Sequence, residues 1–180
     1  SSHQLINELD IYYAYGHQRK IQTTFNYENY KKTTKIYVGN LFEKLITEDI
    51  AKNSNVQTEE VHYINAPTGL TAIYTKTDGL KTSMNYVHKN HLGSITELSG
   101  TDAQVIEKFS FDSWGRRRNP DSWIPWTEAT ETTTDKGFSG HEQLDNFALI
   151  NMNGRIYDPV VGLFTTPDPM LGIPTNTQAF

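Results

Sequence analysis

The sequence predicts a mainly β fold, with successive antiparallel hairpins forming a curved repeat sheet and little helix. Three observations carry this: short segments alternate apolar and polar residues, turn formers separate them, and 12% of residues are aromatic, mostly Tyr (10) and Phe (8). Such rings suit half-buried pleated faces, where the ring is covered and a phenolic tip stays wet. With 36% apolar residues, 180 positions suffice for one domain or part of a larger one.

The alternating segments run Ile11 to Tyr15, Lys35 to Val38, Val61 to Ile64, Leu70 to Thr75 and Met84 to His88. Val105 to Phe111, Arg155 to Tyr157 and Leu163 to Thr165 follow. Gly69, Gly79, Gly93, Gly100, Gly115, Gly154 and Gly162 punctuate them, commonly beside Asp, Asn or Thr, at reversals that call for positive φ. Leu41, Phe42, Leu45, Ile46 and Ile50 hold helical spacing, but residues 35–44 also alternate as a strand, and the strand reading is preferred. Ser139-Gly-His-Glu142, ahead of Leu144 and Phe147, predicts one short turn with Ser139 as its N-cap and Glu142 closing it.

Residues 119–136 hold two prolines, two tryptophans and an acidic, Thr-rich run, which predicts a long loop pinned by Trp123 and Trp126. The expected organisation is therefore hairpins over 1–118, a linker over 119–136 and a terminal segment over 137–180.

Several function classes are disfavoured. The net charge is -5 and basic residues are scattered apart from Arg116-Arg117-Arg118, so no nucleic-acid partner is expected. That triplet, beside Trp114, could bind an anion or stack on aromatic rings, but reads as a solvated turn face. The absence of cysteine removes disulfides, thiolate metal sites and a Cys nucleophile. No apolar run approaches the ~18 residues of a membrane span, and Ser1-Ser2-His3 opens without a signal-peptide layout, so an export signal would lie outside this chain. His88 and His91 on a strand would face opposite sides without a third ligand, so no metal or cofactor is expected and both should pack in a turn.

One pattern recurs. Tyr13-Ala-Tyr15-Gly16 with Arg19, Phe109-Ser-Phe111-Asp112 with Gly115-Arg116, and Arg155-Ile-Tyr157-Asp158 with Gly162 are variants of it, each ending in an aromatic residue just before a turn. Residues two apart share a strand face, an Asp accepts bonds from turn amides, and Gly takes the left-handed position. One hairpin cannot bury its aromatic face alone, whereas copies side by side give a continuous sheet whose open edges suit edge-to-edge association.

These motifs resemble the YD repeat of Rhs polymorphic toxins, insecticidal toxin-complex C components and teneurins, with Phe109 to Arg116 a phenylalanine-bearing version. Tyr86-Val-His88-Lys-Asn90-His91-Leu92-Gly93-Ser94 is similar to a strand-turn of the same proteins, with Asn90 where the family usually has Asp. Gly137-Phe-Ser-Gly-His141-Glu142, with the run from Leu149 through Arg155, Tyr157, Asp158-Pro159, Gly162 and Phe164 to Pro167-Asp168-Pro169, resembles the start of the Rhs-associated core; Leu163 stands where the family places Arg. The resemblance implies a structural shell or closing segment of a secreted Rhs-type toxin, part of the wall that encloses a C-terminal toxin. Its partners would be the rest of its own polypeptide, and its location outside the cell or on the bacterial envelope. The alternative is a cell-surface YD-repeat module that binds glycan or protein through an aromatic sheet.

Asp158 and Asp168 flank one hairpin-length excursion, which would bring two carboxylates together to share a proton, one as base and one as acid. Asp-Pro and Pro-Asp-Pro are equally ordinary turn formers, so spacing leaves a dyad and two turn caps both open. The resemblance casts Asp158 and Asp168 as an aspartyl self-cleavage pair with Arg155 as charge partner, acting on a segment beyond Phe180.

Overall fold

Alternation in the sequence becomes a meander in the computed structural model, which describes residues 7–15, 19–52, 56–126 and 131–167. In chain order the strands are β1 (Asn7–Tyr13), β2 (Arg19–Asn26), β3 (Lys31–Val38), β4 (Phe42–Asp49) and β5 (Val56–Ala66). With β6 (Gly69–Thr77), β7 (Lys81–Lys89), β8 (Ile95–Ser99) and β9 (Val105–Lys108) they form one sheet in sequential order, antiparallel at every registered pair. β10 (Ser110–Phe111) pairs with β11 (Arg117–Arg118). β12 (Glu142–Leu144), β13 (Leu149–Asn151), β14 (Ile156–Asp158) and β15 (Leu163–Phe164) make a second meander. The only helical geometry among the described residues is in short 3-10 turns such as Phe138–Gly140 and Asp145–Phe147.

The expected strand class holds, and the ambiguous segment after Leu41 is strand β4. The chain separates into two compact units, Ser1–Val87 with Ser99–Gln104, and His88–Leu98 with Val105–Phe180.

In the first unit, strand register decides which side chains meet. Gln22 lies opposite Lys35, Tyr37 opposite Glu43, Glu43 opposite Val61, Tyr63 opposite Ile73 and Ile73 opposite Asn85, so all occupy one face, and all are buried. The polar members are partnered: Lys35 Nζ stands 3.7 Å from Glu43, and the Tyr37 hydroxyl donates to Gln22 Oε1 at 3.1 Å. On the other face Phe42, His62 and Tyr74 are directly opposed on β4, β5 and β6, with ring centroids 4.9 and 5.8 Å apart. Such cross-strand pairs contribute roughly 0.2–1 kcal/mol each and fix register, because a one-residue slip would move every ring to the opposite face.

The second unit has short strands around Ile95, Leu98 and Ile150, each 0% exposed, with Phe109, Leu144 and Tyr157 beside them. Full burial of one such aliphatic side chain stabilises by about 1.5–3 kcal/mol. Two glycines are fixed by close packing. A Cβ on Gly115 (φ +94) would stand 2.6 Å from Phe138 Cδ1, and one on Gly137 would stand 2.8 Å from Gln143 Cγ and 2.9 Å from the Phe111 ring.

Five of the reversals fall into two Asx patterns. In the tighter one, Asn90 Oδ1 accepts from the amides of Leu92 and Ser94, Gly93 N–H donates to Asn90 O, and Asn90 N–H donates to Ser94 O. Asp112 repeats each bond with Trp114, Arg116 and Gly115. Only the side-chain oxygen is used, which is why Asn90 serves where the resembled family has Asp. In the wider one, Asn26, Asn119 and Asp158 accept from the amides two and three residues on, and the left-handed residue falls four on, at Tyr30, Trp123 and Gly162. A lone Asx oxygen that satisfies two turn amides explains why these residues open reversals.

Some local expectations fail. Gly69, Gly79, Gly93, Gly115 and Gly162 have positive φ, but near Gly100 and Gly154 the left-handed residues are Ala103 and Asn153. Ser139 is no N-cap: that position is Gly137, without a side-chain bond, while Ser139 itself has φ 50 and donates its amide to Ser94 Oγ. Glu142 lies in β12, 1% exposed, with Lys136 Nζ 3.9 Å from its carboxylate. The four-residue spacing suited a capping box, but the chain turns straight into a strand.

Candidate functional site

Asp158 closes β14. Its Oδ1 accepts from Val160 N–H at 2.8 Å and Val161 N–H at 3.3 Å, and its carbonyl accepts from Gly162 N–H at 2.8 Å. The carboxylate is thereby fixed in orientation by the reversal it opens. On one side Tyr157 is buried, with its ring 5.4 Å from that of Phe164, and burial followed by the charges of Asp112 and Asp158 pushes its phenol pKa up. Tyr157 thus senses the carboxylates of two repeat turns. Arg155 places its guanidinium 3.6 Å from the centroid of the Phe164 ring, a cation-π stack beside the same hairpin. Asp168 lies outside the described residues.

A second cluster surrounds Arg117, the residue directly opposite Phe111 in the β10–β11 ladder. That register puts it on the aromatic face. Its side chain is 5% exposed and lies over the rings of Phe109, Phe111 and Trp126 at 5.3, 5.5 and 5.7 Å. Nε donates to Asp145 Oδ1 at 3.0 Å and Nη2 to Thr134 O at 3.5 Å. The solvated-face reading of the arginine triplet is therefore wrong at its middle member. The signal was present: in a hairpin closed by Asp112 and Arg116, Arg117 must face Phe111.

Burial raises the Asp145 carboxyl pKa, and Arg117 only partly offsets this. Arg117 Nη1 and Gln143 Nε2 are enclosed without an acceptor. Leaving a buried donor unmet costs about 1–3 kcal/mol, more when it is charged. Both residues line one cavity of about 450 Å³.

In the 119–136 segment Trp126 N–H donates to Arg117 O at 3.1 Å. Trp123 stays 65% exposed, with the Arg118 guanidinium 4.3 Å from its ring. His88 is the next-to-last residue of β7 and His91 sits in the Asn90 reversal; among the described residues no three His, Asp or Glu converge as metal ligands would.

The fold and turns define a class: a lateral hairpin meander followed by a small second sheet with arginine at its buried face. No protein-family model matches the chain, and no curated protein does. Solved structures do. The chain is similar to a TcdB2-TccC3-Cdc42 complex, with a TM-score of 0.72 and 17% identity, over 87% of this chain and 7% of that one. It is also similar to a TcdB2-TccC3 complex, with a TM-score of 0.71 and 17% identity, over 87% of this chain and 8% of that one. A Photorhabdus luminescens Tc holotoxin pore bearing an aspartate-to-alanine mutation in TccC3 gives a TM-score of 0.72 and 17% identity, over 90% of this chain and 8% of that one. The chain has the fold of a small part of these toxin-complex chains, in keeping with the Rhs/YD-repeat resemblance of its motifs. Among the described residues no helix is long and apolar enough to cross a membrane.

Proposed function

We propose that this chain is a wall segment of the β-shell of a secreted Rhs-type toxin, enclosing a C-terminal toxin carried by the same polypeptide outside the cell or on its envelope. The observation that carries this is a meander of antiparallel hairpins built on recurrent Asx reversals, alike in fold to Tc toxin-complex chains of which it spans only 7% to 8%. A piece of that kind is one arc of a larger wall. If the polypeptide is such a shell, its cargo should resist added protease until urea opens the wall. Cargo digested as fast as an unfolded chain would refute enclosure.

The same reading assigns Asp158 and Asp168, with Arg155, to aspartyl self-cleavage that frees the cargo. In support, Asp158 is held by two turn amides next to the Arg155–Phe164 stack. One carboxylate would activate water while its partner donates a proton to the carbonyl. The test is intact-mass analysis of the whole polypeptide that carries this segment, against Asp158→Asn and Asp168→Asn forms. Two fragments from the parent and one uncut species from each variant are expected. Because Asn26 and Asn119 open the same kind of reversal, Asp158→Asn should leave the fold intact.

A further inference from the structure

The cavity beside Arg117 has the chemistry of a receptor rather than of a packing defect. At about 450 Å³ it is within the range of small-ligand sites. Two of its lining side chains, Arg117 and Gln143, are 5% and 6% exposed, and each retains an enclosed N–H donor with no acceptor. Among the described residues that line it, Arg116 and Arg117 are basic and Asp145, which already takes the Arg117 Nε–H, is acidic. Trp126, Leu149 and Pro159 supply apolar wall.

We propose that this cavity binds a carboxylate attached to an apolar body, with Arg117 Nη1 and Gln143 Nε2 donating to the carboxylate oxygens. A guanidinium and an amide together present the forked donors that a planar carboxylate accepts. A phosphate dianion fits less well, because the Asp145 carboxylate stands at the same wall. The carboxylate can come from an acidic side chain in a peptide segment or from a free organic acid. Pro159 and Val160, which the Asp158 reversal positions, form part of its wall, but the proposal rests on neither the self-cleavage nor the shell reading.

Isothermal titration of the full chain with 3-phenylpropanoate and with its amide tests the charge requirement. Acetyl-Leu-Asp-Phe-amide and its Asn counterpart repeat the comparison in a peptide. At least one acid should bind saturably and at least tenfold more tightly than its amide, with affinity falling as salt is added. Gln143→Met and Arg116→Gln, confirmed folded by circular dichroism, should each weaken the acid three- to tenfold and leave the amide unchanged. A peptide acid bound tenfold more tightly than phenylpropanoate identifies a peptide segment as the source; the reverse order, or equal affinity, identifies an organic acid. If no acid binds, if acid and amide bind alike, or if both variants bind the acid as the parent does, the proposal fails.

Discussion

The two units use related hairpins but distribute their stability differently. In the first, strands of 7 to 11 residues carry many modest cross-strand pairs, among them Lys44–Glu60 at 3.7 Å, the Thr33–Thr47 hydroxyl contact and the Phe42–His62–Tyr74 ladder. In the second, β10 to β15 run two or three residues each, and a few enclosed groups do what strand length cannot. Long ladders share their load among many pairs, whereas short ones depend on particular atoms.

The contrast breaks most sharply at Asp145. Asp145→Ala strands the Arg117 charge and should cost about 3 kcal/mol, the low end for a severed buried pair because Asp145 keeps 23% side-chain exposure. Hydrogen exchange should accelerate at residues 109–118 and 142–151 while 31–48 stay protected; uniform acceleration would mean that the units do not differ in this way. The pair also sets a pH dependence. Since the folded carboxyl holds its proton to higher pH than the unfolded one, the native state binds more protons from about pH 4 upward, and stability falls as pH rises through the raised value. Urea midpoints should show this decline in the parent and lose it in Asp145→Asn.

Gly115→Ala should cost about 2–3 kcal/mol by thermal denaturation, combining a left-handed alanine with a clash against Phe138. Asp112→Ala leaves the amides of Trp114 and Arg116 unmet and should cost about 1–2 kcal/mol, whereas Asp112→Asn should stay within about 0.5 kcal/mol, since Asn90 holds the same reversal. The smallest effect belongs to the first unit. His62→Ala should remove roughly 0.5–1 kcal/mol in urea titration, because the flanking ladder carries the rest.

Much of this fold was legible because period-two alternation and Asx-Gly reversals are local signals. Residues 35–38, 61–64, 70–75 and 84–88 fall inside longer strands that the pairing extends. β2 escaped notice because its inward residue is Gln22, which reads as surface until Tyr37 is seen to bond it. At the candidate sites the sequence supplied the Asp158 reversal and its arginine, but not the Arg117–Asp145 pair. That pair joins residues 28 apart in the chain, and no spacing rule reaches so far.

The Asx corner has a chemical corollary. At Asp158 and Asp112 the reversal engages only one carboxylate oxygen with backbone amides, a task that asparagine performs equally well at positions 26, 90 and 119. Wherever aspartate occupies such a corner, its other oxygen and its charge are surplus to architecture, so a scaffold of this kind can acquire acid groups at its rim without rebuilding a strand.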